Sequence, residues 1–260
     1  MYRWIKASIL SGPKLICDLT KISHYSKNKN KYSKEKRYKI VKNLVSFVSK
    51  KLNVDLFVEG LENIDKTTSQ FLVSNHLSSF DPLGCLCVID EKTSFVSKIE
   101  LKGAFVLDSI ISCLDGLFLD RENLKQSLKV MMKVQKELSD NEGNWIIYPE
   151  GTRNKDELAV IKDFHSGTFR SAVKANVSIV PIAIYGSQRV LKVNKFKRVP
   201  VFISILKPIS PNEYKDLTTE EIAKLCKDNI QKELTFNLRK KDHEYMLKHN
   251  KKHYKFNQIN

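Results

Sequence analysis

This 260-residue chain is predicted to adopt an α/β fold, with a mainly parallel, mixed sheet covered by helices. Three features predict it. Short runs rich in β-branched and aromatic residues recur from residue 54 onward. Stretches with apolar residues three and four positions apart fill most of the gaps between them. Hydrophobic residues make up 42% of the chain, enough for a substantial core. Strand and helix periodicities in alternation are the pattern of strand–helix–strand units, whose parallel strands are buried on both faces.

The elements follow in order. Residues 1–52 form a basic amphipathic two-helix segment with a polar hinge at Ser23–Ser33. In its first helix Trp4, Ile5, Ile9, Leu15, Ile16, Leu19 and Ile22 alternate with Arg3, Lys6, Lys14 and Lys21. In the second, Ile40, Val41, Leu44, Val45, Val48 and Leu52 share a face flanked by Lys36, Lys39, Lys42 and Lys50. Such a helix suits a lipid interface, and equally suits packing on its own domain with solvated lysines. Residues 53–238 carry the strand candidates: Leu56–Val58, Phe71–Val73, Ser94–Ser97, Leu117–Leu119, Trp145–Tyr148, Ile179–Tyr185 and Val201–Leu206. Helical spacing marks Leu124 to Leu138 and Glu220 to Leu238, the latter started by a capping box of Thr218 and Glu221. Residues 239–260 are expected to be a basic polar tail.

Charge is distributed unevenly. The net +16 resides at the ends: residues 1–52 hold 14 Lys/Arg against 2 Asp/Glu, and residues 239–260 hold 7 against 2. The stretch between is nearly neutral, with 24 against 25. Basic ends on a neutral domain point to an anionic membrane surface, and argue against nucleic acid, whose binders interleave cations with aromatics along a groove. No apolar stretch approaches the roughly 20 residues that span a bilayer. A peripheral or monotopic position on the cytoplasmic face of the cell membrane is expected. Five cysteines without CxxC spacing suggest no disulfide framework and no zinc site.

Chemistry concentrates in four segments. Asn75-His76-Leu77-Ser78-Ser79-Phe80-Asp81-Pro82 follows a strand, and supplies an imidazole that can take a proton from a hydroxyl and a carboxylate that can orient it. Asp81 before Pro82 is also a reasonable helix N-cap, so that pairing alone is weak. Gly116 to Arg121 and Tyr148 to Arg153 end two further strands with an acid and an arginine each, and Val180-Pro181-Ile182 sits in a third apolar run. Ligands of α/β sheets bind beyond the carboxyl ends of strands, where these charges fall, and guanidinium forks suit a phosphate. Local salt bridges are the simpler role for each arginine taken singly. No G-x-S-x-G elbow accompanies Ser78 and Ser79, which disfavours a serine hydrolase.

In this order the four segments resemble the 1-acyl-sn-glycerol-3-phosphate acyltransferase (lysophosphatidate acyltransferase) family, with its N-H-x4-D, G-x-F-x-D-R, F-P-E-G-T-R and V-P-I blocks. The likeness covers about residues 56–206 and extends to Lys98-Ile99-Glu100-Leu101 and Phe164-His165-Ser166-Gly167. Tyr148 replaces the usual Phe, and His165 stands where lysine is common. The resemblance implies His76 as general base, Asp81 as its orienting partner, and Arg121 and Arg153 as phosphate ligands with Lys98 as helper. It places Glu150, Gly151 and Thr152 at the acceptor pocket. It implies acyl transfer from an acyl carrier protein or CoA thioester to lysophosphatidic acid, with no metal and no cofactor. Glycerol 3-phosphate, a lysophospholipid or a lyso-amino-acid lipid is the alternative acceptor.

Overall fold

Strands at the sheet centre are uninterrupted apolar runs because helices cover both of their faces. A computed structural model describes residues 12–154, 160–192 and 197–249. The strands are β1 (Val54–Glu59), β2 (Phe71–Ser74), β3 (Thr93–Lys98), β4 (Leu117–Leu119), β5 (Asn144–Ile147), β6 (Ile179–Tyr185) and β7 (Val199–Ile205). They form one sheet in the order β1-β7-β6-β2-β5-β3-β4. Each expected strand is present within two residues of its predicted ends. Strands β2 to β6 run parallel; β7 is antiparallel to β6 and carries β1 parallel to itself. Five strands therefore share one carboxyl edge.

One face is covered by α1 (Gly12–Lys27), α2 (Lys34–Lys51), α3 (Asp81–Val88) and α4 (Phe105–Cys113), the other by α5 (Leu124–Ser139), α6 (Arg170–Ala175), α7 (Pro211–Tyr214) and α8 (Thr219–Glu233). Alternation along β2 sorts the two cores: Leu72 packs with Val41, Leu44, Leu86 and Ile111, whereas Phe71 and Val73 pack with Val134, Leu138, Ala172 and Ile230. The expected capping box of Thr218 and Glu221 is formed at the start of α8.

The described parts of both basic end segments are more integrated than their composition suggests. The expected hinge is shorter than Ser23–Ser33, because α1 continues to Lys27. Trp4, Ile5 and Ile9 of the expected first helix lie outside the described residues, as does the end of the expected tail from residue 250. Of the two readings open for α2, packing on its own domain holds for the face bearing Tyr38, Val41, Leu44 and Val45, all buried. Arg37 of the same helix is buried too, donating to the Cys113 carbonyl at 2.6 Å and to Asp115 at 2.6 Å. Residue 52 thus marks no break between a separate segment and a domain. The expected tail from Arg239 is instead helical as α9 (Arg239–Lys248), continuous with α8 through a π turn at Leu234–Leu238. Met246 is buried, and buried Asp242 accepts from Arg189 at 2.6 and 3.0 Å, which fixes α9 beside β7. Among the described residues no helix is long and apolar enough to cross a membrane.

Candidate active site

The site forms along the carboxyl edge of four adjacent strands, β2, β5, β3 and β4, each delivering one of the charged segments. At the end of β2 the chain must leave the sheet, and Asn75 secures that exit. Its side chain donates to the Ile184 carbonyl at 2.9 Å and accepts from the Ile184 N–H at 2.8 Å, bracketing β2 to β6 where the ladder ends. The next residue, His76, is thereby launched from a fixed point.

Asp81 begins α3, with Pro82 behind it, but its carboxylate turns back into the preceding loop instead of capping the helix. Its Oδ2 accepts from the Leu77 and Ser78 N–H groups, both at 2.7 Å, and lies 2.8 Å from His76 Nδ1. Three donors converging on one carboxylate oxygen require Nδ1 to carry its proton, which leaves Nε2 as the lone-pair nitrogen. Asp81 is fully buried, whereas the His76 side chain keeps 17% of its surface open.

The turn after β5 grips the same loop from the other side. Glu150 Oε1 accepts the His76 N–H at 2.8 Å, and its Oε2 accepts the Lys162 N–H at 3.2 Å. Burial raises the Glu150 carboxyl above its ordinary value, against the lowering pull of those N–H groups and of His76. The His76 carbonyl accepts from the Asn154 N–H at 2.6 Å, so both backbone groups of the histidine are held by one neighbouring turn. Gly151 permits that turn: its φ is +68°, and a Cβ would sit 3.1 Å from the His165 ring. The Tyr148 ring lies 4.4 Å from the His76 ring, centroid to centroid. Its buried hydroxyl has no well-formed hydrogen-bond partner, its neighbour being the Cys85 thiol, and burial raises its pKa far above the phenolic norm.

The remaining expected residues occupy the outer part of the edge. Arg153 donates to the Ser79 hydroxyl at 3.1 Å, linking the β5 turn to the histidine loop. Thr152 and Lys98 are exposed, Lys98 at the very end of β3 in register with Leu119 of β4. Arg121 follows two residues later, exposed, with partial burial lowering its pKa and Glu100 opposing that effect. The structure therefore brings His76, Asp81, Glu150 and Arg153 into one connected network, and sets Lys98 and Arg121 on the two neighbouring strand ends. The parts played by Asn75 and Asn154 were missed from sequence; Asn75 stood inside a quoted motif, while nothing in the pattern marks Asn154.

Known proteins resemble this chain in sequence and in fold. Residues 55–185 match the family model described as Acyltransferase. The chain is 27% identical over 235 residues to a probable 1-acyl-sn-glycerol-3-phosphate acyltransferase of Mycoplasma pneumoniae, covering 85% of each chain. A similarly named protein of Mycoplasma genitalium is 29% identical over 222 residues, covering 76% of this chain and 78% of that one. Among solved structures, the 1-acyl-sn-glycerophosphate (LPA) acyltransferase PlsC of Thermotoga maritima shares the fold with a TM-score of 0.63 at 23% identity, covering 77% of this chain and 80% of that one. With half its length matched by the family model, and with the histidine–aspartate pair and three strand-end turns on one sheet edge, the chain belongs to the acyltransferase family.

Proposed function

We propose that this O-acyltransferase moves a fatty acyl group from a thioester of CoA or acyl carrier protein to the free hydroxyl of 1-acyl-glycerol 3-phosphate, giving phosphatidic acid. The observation that carries the reading is the oriented His76: Asp81 holds Nδ1 at 2.8 Å and leaves Nε2 as the base. Nε2 takes the hydroxyl proton as the oxygen attacks the thioester carbonyl, a C–O bond forms, and the C–S bond breaks. The imidazolium, stabilised by buried Asp81, then returns the proton to the departing thiolate. A thioester already has a good leaving group, so activating and positioning the alcohol is the main task left to the protein.

Arg153 and Arg121 would hold the acceptor phosphate, with Lys98 adding charge from the next strand end. Glu150 and Gly151 would shape the acceptor pocket indirectly, by fixing the His76 loop, and Thr152 lies at the exposed rim of the same turn. The site would work at an anionic membrane surface on the cytoplasmic face, where a lysophospholipid acceptor resides. The names of the curated relatives support the acceptor, and the basic chain ends support the surface.

Purified protein given detergent-dispersed lysophosphatidic acid and each donor type in turn, with products resolved by mass, tests the proposal. Phosphatidic acid is expected with one donor at least. Failure with that acceptor but turnover of glycerol 3-phosphate or another lysolipid would move the assignment to a sister activity.

A further inference from the structure

Helix α5 has two apolar faces, and among the described residues one is buried while the other is largely exposed. Val130, Val134 and Leu138 point into the core. On another side Leu124, Leu128 and Met132 are 74%, 54% and 67% exposed. Residues four apart on a helix stack in a row, so these three make a continuous aliphatic ridge about 12 Å long. Lys125, Lys129 and Lys133 form the adjoining row, and no acidic residue occurs from Leu124 to Lys136. The ridge begins three residues beyond Arg121, at the carboxyl end of β4. Two more exposed aliphatics, Val106 and Leu107, lie at the start of α4, which follows β3 at the same sheet edge.

We infer that this rim, the α5 ridge with Val106 and Leu107 of α4, is a surface that inserts into an anionic lipid interface, an inference that rests on the membrane location proposed above. Three features select lipid over a protein partner. The ridge is aliphatic and free of aromatic rings, and lysines border it; protein interfaces favour aromatics and arginine and are depleted in lysine. Lysine stems can lie along the apolar row while their ammonium groups reach lipid phosphates, the arrangement of an interfacial helix. Finally, the ridge adjoins the strand end that bears Arg121, so an amphiphilic acceptor could pass from the interface to the site without crossing water. Of the two helix faces expected from composition to insert, that of α2 is occupied otherwise, since Val41, Leu44 and Val45 are core residues, while α1 keeps Ile16 exposed.

The test compares the full chain with Leu124→Ser/Leu128→Ser/Met132→Ser in co-sedimentation with phosphatidylcholine vesicles containing phosphatidylglycerol. Membrane partitioning should fall by about 10–100-fold, because each serine removes exposed aliphatic surface that lipid would otherwise cover. Turnover of a short-chain lysophosphatidic acid dissolved as monomers should be unchanged, as should the melting temperature. Lys125→Glu/Lys129→Glu should weaken binding at low salt and far less at high salt. Equal sedimentation of the triple variant and the unaltered chain would overturn the inference, as would failure of the unaltered chain to sediment. Unchanged sedimentation with turnover lost only for a carrier-protein donor would overturn it in favour of a protein dock. If the unaltered chain binds vesicles but acylates no monomeric acceptor, the functional reading fails and the sedimentation result for the rim stands.

Discussion

The two halves of the strand-end site are built to different standards of rigidity. Three groups of His76 are held from three sides: Asp81 on Nδ1, Glu150 on the N–H, Asn154 on the carbonyl. Around Lys98 and Arg121 the side chains are exposed, and the nearby charge that acts on Arg121 is Glu100. The difference teaches where preorganisation matters. A proton-transfer group must be aimed before the substrate arrives, since misplacement directly raises the barrier. A phosphate-binding cation can be ordered by the phosphate itself, and exposed arginines keep the acceptor's route open.

The largest effect should fall on the rigid half. His76→Ala and Asp81→Asn are each expected to lower kcat/KM by about 10²–10⁴-fold with both substrates saturable as before. Steady-state kinetics checks this, and near-normal turnover by His76→Ala would break the comparison outright. The two arginines, Arg121 of the open half and Arg153 at the border of the two, should show a different signature. Arg121→Ala and Arg153→Ala should each raise KM for the phosphate-bearing acceptor by roughly 10–100-fold, the worth of a charge-assisted hydrogen bond, while KM for the donor stays put. Equal losses on a dephosphorylated acceptor would show that the arginines serve the protein and not the phosphate. Because Arg153 also reaches Ser79, its variant should lose more melting temperature than that of Arg121.

Glu150 sharpens the contrast through pH. Its carboxyl is raised by burial above the ordinary 4.5, so the folded state takes up this proton before the unfolded chain does. As pH falls from the raised value toward about 4.5, this group therefore adds to stability, while neutralising it weakens its hold on the His76 N–H. Activity and melting temperature should move in opposite directions across that window, and Glu150→Gln should remove the stability trend while lowering kcat about tenfold. Parallel titrations by calorimetry and initial rate would decide it. The smallest effect belongs to Tyr148→Phe. Deleting a buried hydroxyl that lacks a well-formed partner should leave turnover close to normal and raise stability by up to about 1 kcal/mol, measurable by denaturant unfolding.

How much of this was legible in the sequence depends on the range of the interaction. Strands such as Phe71–Ser74 and Ile179–Tyr185 were readable because a run of apolar residues reports local burial on both faces. The capping box at Thr218 and Glu221 was readable because it spans one turn. The candidate histidine and aspartate were legible as a pair only through their motif, since spacing alone could not say whether Asp81 would cap α3 or turn back to His76. The reversal at β7 and the clamp from Asn154 join residues far apart in the chain and leave no periodic trace. Amphipathic pattern proved ambiguous in a telling way. In α2 it marks a face sunk into the core, whereas α5 carries a second apolar row that stays largely exposed among the described residues. Periodicity reports that a helix has an apolar side and is silent about what lies against it.

The ion pair between Arg189 and Asp242 bears on how the gene could be shortened. A stop codon after Leu238 would discard a stretch that looks dispensable by composition, yet it would remove the carboxylate from a guanidinium that is 11% exposed on its side chain. Leaving one member of such a buried pair without its counter-charge costs about 3–5 kcal/mol, a large part of the stability of a typical domain. The same truncation would uncover the β7 side where α9 packs and where Phe57 stacks on Phe202. A truncation after Leu238 should accordingly act as a loss of the folded protein, seen as a lowered melting temperature and a lowered yield of native chain.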